Sequence, residues 1–341
     1  MNLFDNFFMN QLKRLLRISW RPLMAITLIF ILIKKGPFQI EQLKFTLSNI
    51  TIVSLGFILF FLQLLLFSFR WKLFINLVSE VRLFKVFKLN LIGYFFNYFI
   101  PGGVGGDIVK ALELSKNNQS SRSEALSTVL SDRIFGLFAM VSFTFFFLLL
   151  EYALHHEKYV LKFLILSGSL FFIIALSLLF LPVFLAKISS HLSTKNSVVL
   201  KKIEKLVSSL HFTFITFRNI KIQIKSFFIS FLGQALAIYF MFEVVRVLGV
   251  PQPSFFVFFS LCCFVFVASA IPIFPAGIGV GQAAIYVIFS HISEDLAKAT
   301  ITAITALQIF NLFYALIGGA IFSFMPKVDD KLKKEPVAIE I

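Results

Sequence analysis

The sequence predicts an all-α polytopic membrane protein, with about six full spans and two re-entrant or broken helices arranged as an inverted repeat. Three observations carry that prediction: an apolar, charge-poor composition, a series of apolar runs long enough to cross a bilayer, and two similar Pro-Gly clusters. Hydrophobic residues make up 58% of the 341 residues and charged residues 14%, and the mean hydropathy is +0.90. A soluble domain carries roughly 25% charged residues. Phenylalanine occurs 48 times, more rings than a water-facing surface accommodates.

Six segments qualify as full spans, at about 18–34, 46–69, 124–151, 159–186, 225–248 and 296–325, since ~20 apolar residues cross the hydrocarbon. The stretch before the first span shows no small-residue cleavage site after a short apolar core. It reads as an interfacial amphipathic segment and not as a removable signal peptide. Segment 198–217 places Val199, Ile203, Leu206, Leu210, Phe214 and Phe217 at helical spacing, with Lys201, Lys202 and Lys205 off the stripe. That pattern predicts a helix lying on the inner leaflet. The tail 326–341 is polar and is expected to be loose. One integral membrane domain over 1–325 is expected, with repeat halves at about 46–152 and 225–325.

The net charge of +15 sits between apolar runs, which points to orientation in the membrane and excludes nucleic-acid binding as the main reading. Lys13, Arg14, Arg17 and Arg21 precede the first span. Arg70, Lys72, Arg82, Lys85 and Lys88 follow the second. A third basic set runs from Lys187 to Lys225, and Lys327, Lys331, Lys333 and Lys334 close the chain. The loops near 152–158 and 249–253 hold a single Lys, Lys158. Both termini are therefore expected in the cytoplasm, with the chain in the cytoplasmic (inner) membrane; Lys34, Lys35 and Lys44 are a modest exception.

Two further apolar stretches, at about 88–116 and 254–290, are interrupted by Pro-Gly clusters. Helix breaks at membrane depth free backbone groups, which are tolerated only where protein buries them or a wet cavity receives them. Pro101-Gly102-Gly103-Val104-Gly105 aligns with Pro275-Ala276-Gly277-Ile278-Gly279, and Ile134–Phe138 aligns with Ile309–Phe313. The offsets are 174 and 175 residues, which favours duplication over coincidence. Three predicted spans separate the clusters, and an odd number of crossings inverts the second copy relative to the first. Broken helices in inverted repeats bracket substrate sites in transporters. A purely structural pair of helix breaks is the competing reading.

Candidate binding residues follow from those clusters. Asp107, Lys110 and Glu113 share one helical face after the first break, behind Gly103 and Gly105, whose exposed N–H groups suit an anion such as phosphate. Asp107 either caps that short helix or joins the site, with Lys110 the better candidate for a headgroup. Asp132 and Arg133 lie inside the third span. Charges at such depth face a cavity or a partner, so they either form an ion pair, with Asp107 or Glu113 as candidates, or bind an anionic headgroup through Arg133. Gln308 stands at the position equivalent to Arg133 in the second half. Glu243 and Arg246 pair near one end of the fifth span, where snorkelling explains them about as well as a site does.

Cys262 and Cys263 are adjacent in an apolar run and read as buried hydrophobes. No P-loop, dinucleotide fingerprint, HExxH or GxSxG is present in the sequence. The five histidines are scattered. Neither a metal site, a cofactor nor a catalytic constellation is expected.

The stretch Asn97-Tyr98-Phe99-Ile100-Pro101-Gly102-Gly103-Val104-Gly105-Gly106-Asp107, followed by Asp132-Arg133, resembles the membrane region of lysylphosphatidylglycerol synthases. Pro275-Ala276-Gly277-Ile278-Gly279-Val280-Gly281 resembles that family's second motif. The same proteins are called flippase-like, or UPF0104, membrane proteins. The resemblance covers about 50–325. It implies translocation of a lipid with a phosphate-bearing or polar headgroup, or partnership with a glycosyltransferase or other envelope-biosynthesis enzyme. Together with the reading of the residues, it gives Asn97, Gly103, Gly105, Asp107, Lys110, Asp132 and Arg133 as candidate substrate-binding residues, with Gly277, Gly279, Gln282 and Gln308 from the second half. The family usually has an acidic residue where Gln282 stands and often an Arg where Gln308 stands. The aminoacyl-transferase domain of the full-length synthases has no counterpart in this sequence, so lysyl transfer is not expected.

Overall fold

The computed structural model describes residues 39–99, 105–116, 121–156, 158–193, 219–270 and 275–325. The predicted first span, the N-terminal amphipathic segment, the 198–217 helix and the tail lie outside the described residues. Those described form ten α-helices and one 3-10 turn: α1 (Ile40–Ser48), α2 (Ile50–Ile75), α3 (Leu83–Phe99), α4 (Gly105–Lys116), α5 (Arg122–His155), α6 (Lys158–Ser193), α7 (Ile220–Val247), α8 (Phe255–Ser269), the turn Pro275–Gly277, α9 (Val280–Phe289) and α10 (Glu294–Ser323). Five apolar segments are long enough to cross a membrane: α2, α5, Val160–Phe180 of α6, α7 and α10. The chain is a multi-pass helical membrane protein.

Local chemistry sets the helix starts. Asn49 accepts from the N–H groups of Thr51 and Ile52 at the head of α2, and Asn219 does the same for Lys221 and Ile222 at α7. Ser121 and Glu124 form a capping box at α5, while Ser254 and Ser293 cap α8 and α10. Such caps satisfy N–H groups that have no intrahelical acceptor. α5 ends where His156 turns left-handed at φ 54°.

One boundary corrects the sequence reading. The second span does not stop near 69 but runs to Ile75. Trp71, Phe74 and Ile75 are fully buried, so packing continues the helix beyond the purely apolar run. Arg70 and Lys72 are therefore helical residues of α2 and not loop charges.

Both Pro-Gly stretches fold as helical hairpins. α4 returns along α3: Lys110 reaches Asn90 and Gly106 reaches Asn97, one turn or two further from the tip in each case. A Cβ on Gly106 would stand 2.0 Å from the Gly93 carbonyl oxygen, so the two backbones touch there. In the second hairpin α9 returns along α8, with Gly277 against Ser269 and Phe289 against Phe258. Ala276, Gly277 and Gly279 carry positive φ of 50°, 68° and 88°, the backbone reversal that the Pro-Ala-Gly sequence has to make.

The order long helix, short helix, break, short helix, long helix occurs twice, as α2–α5 and as α7–α10. α2 and α7 pack side by side and antiparallel. Phe60 meets Phe240, Gln63 donates to the Gly233 carbonyl at 3.0 Å, and Arg70 meets Ser230. α3 packs on α10 of the other half, where Gly318 admits the Leu91 backbone. Reciprocally, α8 packs on α5 of the first half, with Phe147 against Phe259. The main core lies among α2, α7, α8, α9 and α10, and a second core around Trp71 joins α2, α3, α4 and α5. α6 attaches to α5 through Phe138, Phe145 and Phe171. It turns Phe172, Ile173, Leu179 and Phe180 outward, a surface suited to lipid chains.

Candidate functional site

Five charged side chains gather where α2, α4 and α5 meet. Arg70 forms a fork with Asp132: Nε donates to Oδ1 at 2.7 Å and Nη2 to Oδ2 at 2.9 Å. Its third nitrogen, Nη1, donates to the Ser230 hydroxyl at 2.9 Å. Planar two-point pairing is the strongest ion-pair geometry available to Arg. Gly136 makes room for it, since a Cβ there would lie 2.6 Å from Arg70 Nη1. Both charges are buried, and Ser230 brings α7 of the second half into the same bond network.

Asp107 forms the second fork. Arg133 Nε lies 2.9 Å from Oδ2, Nη2 donates to Oδ1 at 3.1 Å, and Lys110 Nζ stands 3.7 Å from the same Oδ1. Lys110 is held on three sides. It donates to Asn90 Oδ1 at 3.0 Å and lies 4.4 Å from the centre of the Trp71 ring, a cation–π distance. Asn90 is fixed in turn by donating to Ser68, and Trp71 by donating to Thr128. Lys110 and Asp107 are buried, whereas the Arg133 side chain keeps 51% of its surface accessible. Arg133 is thus the member of the cluster that an incoming molecule can touch.

The head of α4 is served by Asn97, whose side-chain oxygen accepts from the Gly106 N–H at 3.0 Å. Among the described residues this takes over the capping role open to Asp107, whose carboxylate turns to Arg133 and Lys110. Glu113 is buried and paired with Lys116 one turn along α4.

In the second hairpin Gln282 does both jobs. Its Oε1 accepts from the Gly279 N–H at 2.8 Å. Its Nε2 donates to Gln308 Oε1 at 2.7 Å and to Thr305 at 3.3 Å. Gln282 and Gln308 are 26 residues apart, as are Asp107 and Arg133. Each half therefore joins the start of its short helix to its last long helix at matching positions, by an ion pair in the first half and by an amide pair in the second. Tyr98 connects the two, donating from α3 to the Gln308 backbone oxygen at 2.9 Å. One turn earlier on the same face stands Tyr94, within electrostatic reach of Arg133, Arg70 and Asp132.

Of the residues singled out from sequence, Asn97, Gly105, Asp107, Lys110, Asp132 and Arg133 come together, and Gly277, Gly279, Gln282 and Gln308 form the second group. Gly103 lies outside the described residues. The pairing suggested for Arg133 with Asp107 is present, with Glu113 paired to Lys116 instead, and Asp132 pairs with Arg70. Glu243 pairs with Arg246 on α7, apart from both groups. Sequence reasoning missed Arg70, Asn90, Trp71, Tyr98 and Ser230. Arg70 had one available signal: Trp71 and Phe74 continue the apolar face past it.

A family model described as the lysylphosphatidylglycerol synthase TM region matches residues 18–318. A UPF0104 membrane protein of Pyrococcus horikoshii is 29% identical over 168 residues, 48% of this chain and 49% of the relative. Another, of Methanocaldococcus jannaschii, is 32% identical over 128 residues, 36% of this chain and 38% of the relative. The chain thus spans about half or less of the length of the curated relatives it matches.

Proposed function

The chain belongs to the lysylphosphatidylglycerol synthase transmembrane-region family, and from that premise we propose that it is a lipid flippase or flippase-like transporter. It moves a lipid with an anionic or polar headgroup across the cytoplasmic membrane, with both termini in the cytoplasm. The observation that carries this reading is Arg133, whose side chain is half-exposed in an otherwise buried charge cluster. Intramembrane charges that keep accessible surface mark substrate pathways. The two hairpins act as an inverted repeat, a reading supported by the doubled element order and by the antiparallel packing of α2 on α7. The headgroup is placed at Arg133 while its chains stay in lipid. A gradient, or consumption of the lipid on the far side, drives net movement.

The test is headgroup transfer in liposomes containing the purified protein. Arg133→Ala is expected to abolish transfer while the protein remains folded. Unchanged transfer removes Arg133 from the site. A second reading, a membrane partner of a glycosyltransferase or other envelope enzyme, is favoured by the dense Lys and Arg between 187 and 225. Stable co-purification with such an enzyme, together with no transfer by the wild type, would select it. Neither reading includes a catalytic step or a cofactor.

A further inference from the structure

We propose that the chain holds a second lipid, an anionic lipid of the inner leaflet, with one chain seated in a groove between α5 and α7 and its phosphate at Lys221 and Lys225. The site is separate from the hairpins and does not depend on transport; only the leaflet follows from the orientation proposed above.

Packing builds the groove. Phe135 and Phe138 line it from α5, and Ile220, Ile224, Phe227 and Phe228 line it from α7, with Gln223 as the polar member. Its volume is about 250 Å³. An apolar cavity of ~150 Å³ already accepts benzene, so a segment of lipid chain fits. From Ile220 to Phe228 it extends about 12 Å at 1.5 Å per residue. Its rings are braced from behind. Phe135 stacks on Phe74 at 5.5 Å, Phe138 stacks on Phe171 at 5.8 Å, and Phe227 packs on Phe143 at 4.5 Å. Rings fixed in this way do not swing in to fill the space, and packed protein tolerates few voids larger than a water molecule. Ile220, Ile224 and Phe228 are exposed, so the groove is open sideways. It runs along the first turns of a helix long and apolar enough to span the membrane, where the medium it meets is lipid.

Charge selects which lipid. Lys221, Ile224, Lys225 and Phe228 follow i, i+3, i+4, i+7 spacing, so both lysines rise from the ridge of α7 that lines the groove. Both are exposed. Arg218 precedes them, and no acidic residue occurs between Glu204 and Glu243. Lysines in a first helical turn oppose the helix dipole, so stabilising α7 does not explain them, whereas an anion at that end does. Their long stems carry the ammonium groups from an apolar groove to headgroup level. Phe135 and Phe138 lie about 200° and 140° round α5 from Arg133, at 3.6 residues per turn. The groove is thus on the far side of α5 from the hairpin charges.

The test uses the purified full chain in phosphatidylcholine vesicles with increasing brominated-chain phosphatidylglycerol or brominated-chain phosphatidylcholine, since bromine quenches a tryptophan it touches. Phe228→Trp reports on the groove, and Ile224→Trp replaces it if that variant does not fold. The signal of Trp20 and Trp71 is subtracted using unsubstituted protein. Brominated phosphatidylglycerol is expected to half-quench at an about 10-fold lower mole fraction than brominated phosphatidylcholine, the scale set by two lysines beside an anionic headgroup. Leu179→Trp, on the exposed face of α6, should show no such preference, which separates a site from bulk lipid. Adding Lys221→Gln/Lys225→Gln to the reporter should bring both lipids to the same half-quenching mole fraction, while Arg133→Ala should leave the preference intact. Soluble glycerophosphoglycerol should not relieve the quenching, which separates a lipid from a free phosphodiester. Absence of quenching by either lipid, with residues 194–218 or a second copy filling the groove instead, overturns the proposal. So does equal quenching by both lipids, the same preference at Leu179→Trp, indifference to the lysine substitutions, relief by the soluble headgroup, or loss of the preference in Arg133→Ala.

Discussion

Arg70 and Asp132 lie 62 residues apart in the chain and meet in a two-point ion pair of 2.7 and 2.9 Å. Arg70 also holds Ser230, so one guanidinium ties α2 and α5 of the first half to α7 of the second. Neither charge has solvent to fall back on. This pair is the joint on which the second pair, accessible Arg133 and buried Asp107, is mounted, since Asp132 and Arg133 are neighbours on α5.

Removing one partner of the joint strands the other. Arg70→Met is expected to lower stability by about 3–5 kcal/mol. The double variant Arg70→Met/Asp132→Leu should recover much of the loss, because it removes the orphaned carboxylate as well. Thermal unfolding in detergent, followed by tryptophan fluorescence, measures both.

Lys110 and Arg133 should separate stability from activity. Lys110 is buried and fully engaged, so Lys110→Met is expected to cost about 1–3 kcal/mol of stability by leaving Asn90 unpaired. Arg133→Gln should leave the melting temperature within a few degrees and reduce lipid transfer at least 10-fold. If the two variants exchanged these effects, the assignment of Arg133 as the accessible cation would fail.

Close backbone contacts make two glycines irreplaceable. A Cβ at Gly106 would stand 2.0 Å from Gly93 O, and one at Gly318 would stand 2.0 Å from Leu91 O. Helical backbone cannot yield at such distances without separating α4 from α3 or α10 from α3. Gly106→Ala and Gly318→Ala should each sharply reduce monodisperse protein in size-exclusion chromatography. Gly249→Ala meets no atom within 4 Å but sits at φ 72°, so it should cost only about 1 kcal/mol.

The inverted arrangement predicts labelling from opposite faces. Lys116 follows the first hairpin and His291 the second. Lys116→Cys should react with an impermeant maleimide in inside-out vesicles, and His291→Cys in right-side-out vesicles. The native Cys262 and Cys263 are buried and should stay silent in both. Labelling of the two positions from one face would end the inverted reading.

Much of this was visible in one dimension. Apolar runs of membrane length locate α2, α5, α6, α7 and α10, because hydrocarbon thickness sets a length that composition alone reveals. The Pro-Gly clusters locate the two hairpins, because a proline next to several glycines both removes a helix donor and permits the backbone reversal. The cost of charge within an apolar run singled out Asp132 and Arg133, and the helical face behind the first break singled out Asp107 and Lys110. What stayed hidden were the partners. Arg70 resembles the flanking charge that ends many spans, and only the burial of Trp71 and Phe74 shows the helix running on past it. Asn90, Tyr98 and Ser230 are ordinary residues of apolar helices until another helix arrives beside them. Periodicity and composition report how deep a residue sits. Which guanidinium meets which carboxylate, and which one keeps a free face, depends on the crossing of helices distant in the chain, and tertiary packing alone decides that.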